Sequence, residues 1–159
     1  MAEPRISEGT FFAPSEADMQ KALHYLGDEE RALLRPFLEG REHPSDAMIM
    51  HEGDRGEWMG FVVEGKLAVK KETNFPGKSV LVAILETGSM VGEISVLERG
   101  KRAASVEVLE KCRLLHLSSD RIEKLLQEYP HLGIKILRRI LHVVGVRVKK
   151  ADDRLAKLL

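Results

Sequence analysis

Residues 87–106 read Thr87-Gly-Ser-Met-Val-Gly-Glu-Ile-Ser-Val-Leu-Glu-Arg-Gly-Lys-Arg-Ala-Ala-Ser-Val106, and what this stretch can bind decides how the rest of the chain is understood. Gly88 and Gly92 permit tight turns and close backbone approach. Glu93 to Leu97 is long enough for a single helical turn, whose free N–H groups suit an anion. Arg102 follows nine residues after Glu93, just ahead of an apolar run. A guanidinium fork binds phosphate in bidentate fashion, and a carboxylate accepts hydrogen bonds from sugar hydroxyls. A ligand with one phosphate and a free ribose hydroxyl satisfies both. By residue chemistry alone, the same two side chains also fit a surface ion pair worth about 0–1 kcal/mol.

Around this stretch, residues from about 41 to 117 alternate short apolar runs with turn residues. Ala47–His51 precedes Glu-Gly-Asp, and Trp58–Val63 precedes Glu64-Gly65-Lys66. Leu67–Lys71 precedes a Thr73–Lys78 turn centred on Pro76-Gly77, and Ser79–Leu85 precedes Glu86-Thr87-Gly88. Ser105–Leu109 and Arg113–Leu117 close the series. The pattern predicts an antiparallel sandwich or barrel of several short strands.

Upstream, Pro4, Gly9 and Pro14 mark residues 1–14 as an irregular arm. Ser15-Glu16-Ala17-Asp18 starts a capped helix running to about Leu26. Asp28 can cap a second, with Leu33, Leu34, Phe37 and Leu38 on its inner side and Pro36 shortening or kinking it. After Leu117 the period becomes helical. Ser118 or Ser119 caps a helix through Glu128, and a long helix begins at Pro130, where proline is tolerated. Residues 15–159 therefore read as one domain: a β-region over about 41–117, then C-terminal helices over about 118–159.

Composition narrows the function classes. A chain of 159 residues with 43% hydrophobic and 31% charged residues is globular rather than disordered. It has no apolar run near the ~18 residues of a membrane span, and its start has no apolar signal core. The single cysteine, Cys112, excludes a disulfide scaffold and points to a cytoplasmic setting. It lies between Lys111 and Arg113, which could lower its pKa, although a buried apolar role is the plainer reading. Net charge is zero, which argues against direct DNA binding. The charge is unevenly spread: residues 1–60 hold 6 basic and 13 acidic residues, and residues 131–159 hold 8 and 2. The six histidines are scattered without a His-x-His pair, so a cupin-like metal enzyme is disfavoured and no metal or cofactor is expected. Trp58 follows an acid at a turn, an exposed position suited to a lid or a partner contact.

Within the last helix, Ile134, Leu137, Leu141, Val144, Val148, Ala151, Leu155 and Leu158 are spaced 3-4-3-4-3-4-3. This a/d pattern predicts a homodimer seam, with an amphipathic helix packed on its own domain as the alternative. Arg147 at g and Asp152 at e have the spacing of an interhelical pair in a parallel dimer. A second stripe, Leu132, Ile136, Ile140 and Val143, covers a neighbouring face.

The 87–106 stretch resembles the phosphate-binding cassette of cyclic nucleotide-binding domains. Gly92-Glu93-Ile94 and Arg102-Ala103-Ala104-Ser105-Val106 match the family pattern with its Glu-to-Arg spacing, and Met48–Asp54 and Phe61–Val69 look like its early strands. The resemblance implies an antiparallel β-roll (a double-stranded β-helix, or jelly roll) with N-terminal helices and a long C-terminal helix. That roll is expected to have about eight strands. The resemblance also implies a non-enzymatic sensor of cAMP, with cGMP the alternative, that signals through the last helix. Glu93 would accept from the ribose 2′-hydroxyl, and Arg102 would hold the cyclic phosphate. The amides of Gly92, Ile94, Ser95 and Ala103 would face the ligand. Val82 and Leu85 would wall the ribose and base, and Arg147 or Val148 would lie nearest the base. Val91, Ser95 and Lys101 depart from the usual Phe, Ala and Pro. Family transcription factors continue into a helix-turn-helix domain. This sequence ends at Leu159, so the expected effector is another chain or another copy. A nucleotide-free dimerisation module of the same fold is the alternative.

Overall fold

The computed structural model describes residues 5–159. In chain order the elements are β1 (Thr10–Phe12), α1 (Glu16–Ala22), α2 (Asp28–Leu34), a 3-10 turn (Arg35–Phe37), β2 (Glu39–His43), β3 (Met48–Met50), β4 (Trp58–Glu72), β5 (Ser79–Leu85), β6 (Met90–Val91), α3 (Glu93–Leu97), β7 (Ser105–Ser118), α4 (Ser119–Glu128) and α5 (Pro130–Leu158). Two compact units divide the chain after Arg121.

In the first unit the strands form one antiparallel sheet in the order β1-β2-β7-β4-β5, with β3 paired to β7 and β6 to β4. This is the antiparallel roll expected from the sequence, built from seven strands among the described residues instead of about eight. The apolar runs do not map one to one onto these strands, for a physical reason. Glu64-Gly65-Lys66 is not a reversal: β4 runs through it, and its register with β7 shifts at Val62/Glu64, Glu64/Lys66 and Lys66/Leu67. A bulge bends a strand by inserting a residue on one side of the ladder, and locally it uses the same polar and glycine residues as a turn. Ser105–Leu109 and Arg113–Leu117 likewise merge into the single strand β7. Val62, Leu67, Leu85, Val106, Val108, Cys112 and Leu114 pack together with Ile49, Met50 and Val91 in the core between these strands.

The segment read as an irregular arm carries β1, whose Phe11 pairs with Arg41 of β2. Ile6 bridges Met48, and the Ser7 amide donates to the Met48 carbonyl at 2.8 Å. Backbone pairing to a partner some thirty residues away leaves no local sequence periodicity. The Ser15–Asp18 capping box forms as expected, though α1 stops at Ala22. Gly27, not Asp28, is the N-cap of α2, closed by Glu30, while Asp28 pairs with Arg31. Asp18 serves twice: its other oxygen takes Arg113 Nη1 at 2.7 Å. Arg113 also sits 4.1 Å from the Phe12 ring centroid, so one ion pair ties β1 and α1 to β7.

In the second unit, Leu132, Ile136 and Ile140 of α5 are buried, whereas Ile134, Leu141, Val148 and Leu155 are 46%, 71%, 55% and 59% exposed. Leu137 and Val144 are half-buried, and Ala151 is exposed. The two stripes of the helix thus differ sharply in burial.

His43 lies fully buried on β2, with Ser7 Oγ 3.0 Å from its Nδ1. Its ring stacks on His116 at 5.7 Å, and His116 stacks on Trp58 at 3.7 Å. Burial, reinforced by the Arg41 charge, pushes the His43 pKa down from 6.5 to about 4. Burial, then the His43, Arg41 and Arg102 charges, lowers that of His116 as well. Both imidazoles stay neutral in the folded chain while the unfolded chain takes up protons below pH 6.5, so stability is lost as pH falls. Denaturant unfolding from pH 7.5 to 4.5 should show that loss beginning near pH 6.5, at up to about 1.4 kcal/mol per pH unit for each histidine. A flat profile contradicts it.

Candidate functional site

The Glu86-Thr87-Gly88 turn closes through a Ser89 amide to Glu86 carbonyl bond of 3.0 Å, and Val62 exchanges backbone bonds with Gly88 and Ser89. β6 then pairs with Gly60 and Phe61, which delivers the chain to Gly92 at the foot of α3. Gly92 has φ +75°, the left-handed region that side chains disfavour. A Cβ there would also lie 2.4 Å from Arg102 Nη1 and 2.7 Å from Met50 Cε. The backbone conformation favours glycine here, and any Cβ would make these two side chains shift.

Past α3, the Gly100 amide returns to the Ser95 carbonyl at 2.9 Å. Residues 100–102 then pair with the loop at 53–56. The Gly56 amide donates to Gly100, the Arg102 amide to Asp54 at 2.7 Å and the Gly53 amide to Arg102 at 2.9 Å. This pairing draws the Arg102 side chain inward beneath α3.

Glu93 and Arg102 are 3% and 5% exposed. Their burial excludes the surface ion pair that residue chemistry alone left open. Burial pushes the Arg102 pKa down to about 10, opposed by the nearby charges of Glu93, then Asp54 and Glu57. The guanidinium therefore remains charged at neutral pH. Arg102 Nη1 donates to the Gly92 carbonyl at 3.1 Å and Ser95 Oγ at 2.8 Å, and Nη2 donates to the Trp58 carbonyl at 2.6 Å. These bonds commit three of its five N–H donors.

Gly92, Glu93, Ser95 and Arg102 are thus brought together. Ala103 follows in the chain, and its carbonyl accepts from Lys71 Nζ at 2.8 Å. The Ile94 side chain is 44% exposed. Val82 lies half-exposed on the edge strand β5, whereas Leu85 is buried in the core. Arg147 lies on α5 in the second unit. Sequence reasoning missed Gly56 and the part played by Trp58. Trp58 is half-buried against His116 rather than an exposed lid, and its carbonyl is an Arg102 acceptor. The glycines of the 53–56 loop were the available signal. Cys112 is fully buried and its thiol is pushed up to about 12 by burial, the opposite of an activated thiolate. Among the described residues, no group of three or more His, Cys, Asp or Glu side chains is placed to hold a metal, and no helix is long and apolar enough to cross a membrane.

Residues 40–129, more than half of the chain, match the family described as the cyclic nucleotide-binding domain. The chain belongs to that family. It is similar to the Cyclic AMP receptor protein of Thermus thermophilus, with 28% identity over 129 residues, or 81% of this chain and 57% of that protein. It is also similar to the potassium/sodium hyperpolarization-activated cyclic nucleotide-gated channel 2 of Mus musculus, with 37% identity over 98 residues, or 62% of this chain and 10% of the channel. The chain spans little more than half the length of the Thermus relative. Among solved structures, a cyclic nucleotide-binding domain from Methylobacillus flagellatus aligns with a TM-score of 0.79 at 25% identity, covering 92% of this chain and 83% of that one. Thermus thermophilus Catabolite Activator Protein aligns at 0.72 with 29% identity, covering 89% of this chain and 62% of that one.

Gly92→Ala should destabilise the fold by about 1–2 kcal/mol from the backbone conformation alone, and by more because the methyl meets Arg102. Thermal unfolding measures this. A variant melting with the parent chain contradicts the left-handed backbone at Gly92.

Proposed function

We propose that this chain is a cyclic-nucleotide sensor with cAMP as its ligand, acting as a regulatory domain rather than an enzyme. The observation that carries the reading is the burial of Glu93 and Arg102 side by side in the 92–102 segment of a cyclic nucleotide-binding fold. Buried charges of this kind are costly unless something needs them, and a carboxylate beside a guanidinium matches a ribose hydroxyl beside a phosphate. The relative in Thermus thermophilus is named for cyclic AMP, which supports cAMP over cGMP.

In this reading Glu93 accepts from the ribose 2′-hydroxyl and Arg102 holds the phosphate. The amides of Gly92, Ile94, Ser95 and Ala103 face the ligand, and Val82 and Leu85 lie along the strand entering the cassette. Phosphate binding orders the 88–102 segment, and the effect reaches a partner through the last helix. The ligand biases that equilibrium only by its differential affinity for the two states. The exposed Ile134, Leu141, Val148 and Leu155 support a homodimer through α5, with Leu137, Val144 and Ala151 completing the seam.

A charge-assisted contact is worth about 1.5–3 kcal/mol, and 1.4 kcal/mol is tenfold in affinity. By calorimetry, Arg102→Ala should therefore bind cAMP about 10- to 150-fold more weakly than the parent. Unchanged binding in a variant that still melts cooperatively sinks the assignment. A flat thermal-shift response of the parent chain to cAMP, cGMP and unrelated nucleotides assigns it instead to the nucleotide-free dimerisation module. Leu141→Lys should convert a dimer to a monomer by sedimentation, and a monomeric parent removes the seam.

A further inference from the structure

β5 closes one end of the sheet: among the described strands it pairs only with β4, so its other backbone edge faces no strand. Edges of this kind are ordinarily blunted by charge, proline or shortness. The opposite end strand, β1, is three residues long. β5 is seven, Ser79-Val-Leu-Val-Ala-Ile-Leu85, with no charge, proline or glycine. Val80, Leu81, Val82 and Ile84 are 53%, 53%, 50% and 51% exposed. The charges stand just outside the strand, Lys78 before it and Glu86 after it, and both residues are exposed. One irregularity interrupts β5. Its register with β4 passes from Val69↔Ala83 to Lys70↔Leu81, which leaves Val82 as the extra residue of a bulge.

We propose that β5 is a docking edge for a second copy of this chain, the two strands running antiparallel about a two-fold axis through Val82. In that register each Val80 faces the partner's Ile84, each Leu81 the partner's Ala83, and each Lys78 the partner's Glu86. Opposite charges meet at both ends, and the free main-chain edges pair between them. A parallel pairing instead sets Lys78 beside Lys78 and Glu86 beside Glu86. Sliding the antiparallel pairing by two residues sets Lys78 opposite Ile84 or Gly88. Charge thus selects one register, and that register is self-complementary, as a two-fold interface requires. A bulge protects an edge by bending it away from its neighbour. Here it falls on the axis, so each copy's bend meets its own image. Seven residues a side fall short of the roughly 20–30 of a stable interface, so the pairing is weak and forms at high local concentration. It uses the first unit alone and depends neither on the ligand nor on the α5 seam.

The test uses the full chain carrying Leu141→Lys, which takes the α5 seam out of the readout, or the parent chain if that proves to have no seam. Sedimentation from micromolar to millimolar protein should show a monomer passing to a dimer. Lys78→Glu and Glu86→Lys should each weaken that dimer about tenfold, because two attractive cross-strand pairs become repulsive. Mixing the two variants should restore it, since the copies then present complementary charge at both ends. A second measurement uses the axis. Cys112 is fully buried, so Val82→Cys supplies the reactive thiol. In the proposed pairing its Cα lies about 5 Å from that of its image, within disulfide reach. The Cα atoms of two Lys78 residues lie about 25 Å apart by strand spacing. Under mild oxidation Val82→Cys should therefore cross-link and Lys78→Cys should not. If Leu141→Lys does not melt cooperatively, the two cysteine variants in the parent chain decide. A chain monomeric throughout, a dimer indifferent to both charge reversals, a mixture that associates no better than its components, or equal cross-linking at the two positions overturns the docking edge.

Discussion

A guanidinium taken out of water has to be met by acceptors, and the region around α3 is organised by that requirement at Arg102. Its partners come from three places in the chain: the Gly92 carbonyl at the entry to α3, Ser95 Oγ within α3, and the Trp58 carbonyl at the start of β4. Its own backbone is bonded to Asp54 and Gly53. One side chain therefore ties together the loop before β4, the helical turn after β6 and the approach to β7. Gly92 and Gly56 are glycine because the guanidinium and the Ser95 hydroxyl occupy the space that a Cβ would need.

The roll supplies the frame on which this knot is tied. β4 and β7 pair along nearly their whole lengths, bending together at the bulges around Gly65, so Trp58 near one end of the ladder and Ser105 near the other are held by one continuous piece of sheet. Trp58 stacks on His116 and His116 on His43, whose Nδ1 lies 3.0 Å from Ser7 Oγ. These imidazoles are kept neutral by burial, which makes the fold sensitive to acid without adding a charge at neutral pH. On the opposite side of the charge balance, Asp18 and Arg113 hold the N-terminal elements through a bidentate pair that is only partly exposed to solvent.

Much of this was legible in residue order. The Glu93-to-Arg102 spacing located the site, because the turn between them is short and its glycines stand at fixed offsets. Ser15 and Asp18 announced their capping box. The 3-4 spacing from Ile134 to Leu158 announced one stripe of the last helix, and Leu132, Ile136, Ile140 and Val143 announced the other. The strands were legible as apolar runs, but their joins were not. Glu64-Gly65-Lys66 serves a bulge as well as it serves a turn, and the three residues of β1 carry too little pattern to distinguish a strand from an arm. Lys111 and Arg113 beside Cys112 suggested an activated thiol. Alternation along β7 instead turns the thiol into the core and Arg113 toward Asp18, so burial outweighs the neighbouring charge.

By itself the sequence determined what is periodic or local: the helices and their caps, the alternating strands, the cassette with its paired charges, and therefore the class of fold. Only the tertiary structure decided where the Arg102 guanidinium points and which groups meet it. Its acceptors include a backbone carbonyl 44 residues away in the chain, and a backbone carbonyl is the same in every residue type. Nothing in the letter at position 58 could announce that bond. The reason is physical: helical and strand periods report which face of an element is apolar, whereas desolvation and the satisfaction of a buried charge depend on which segments the fold brings together.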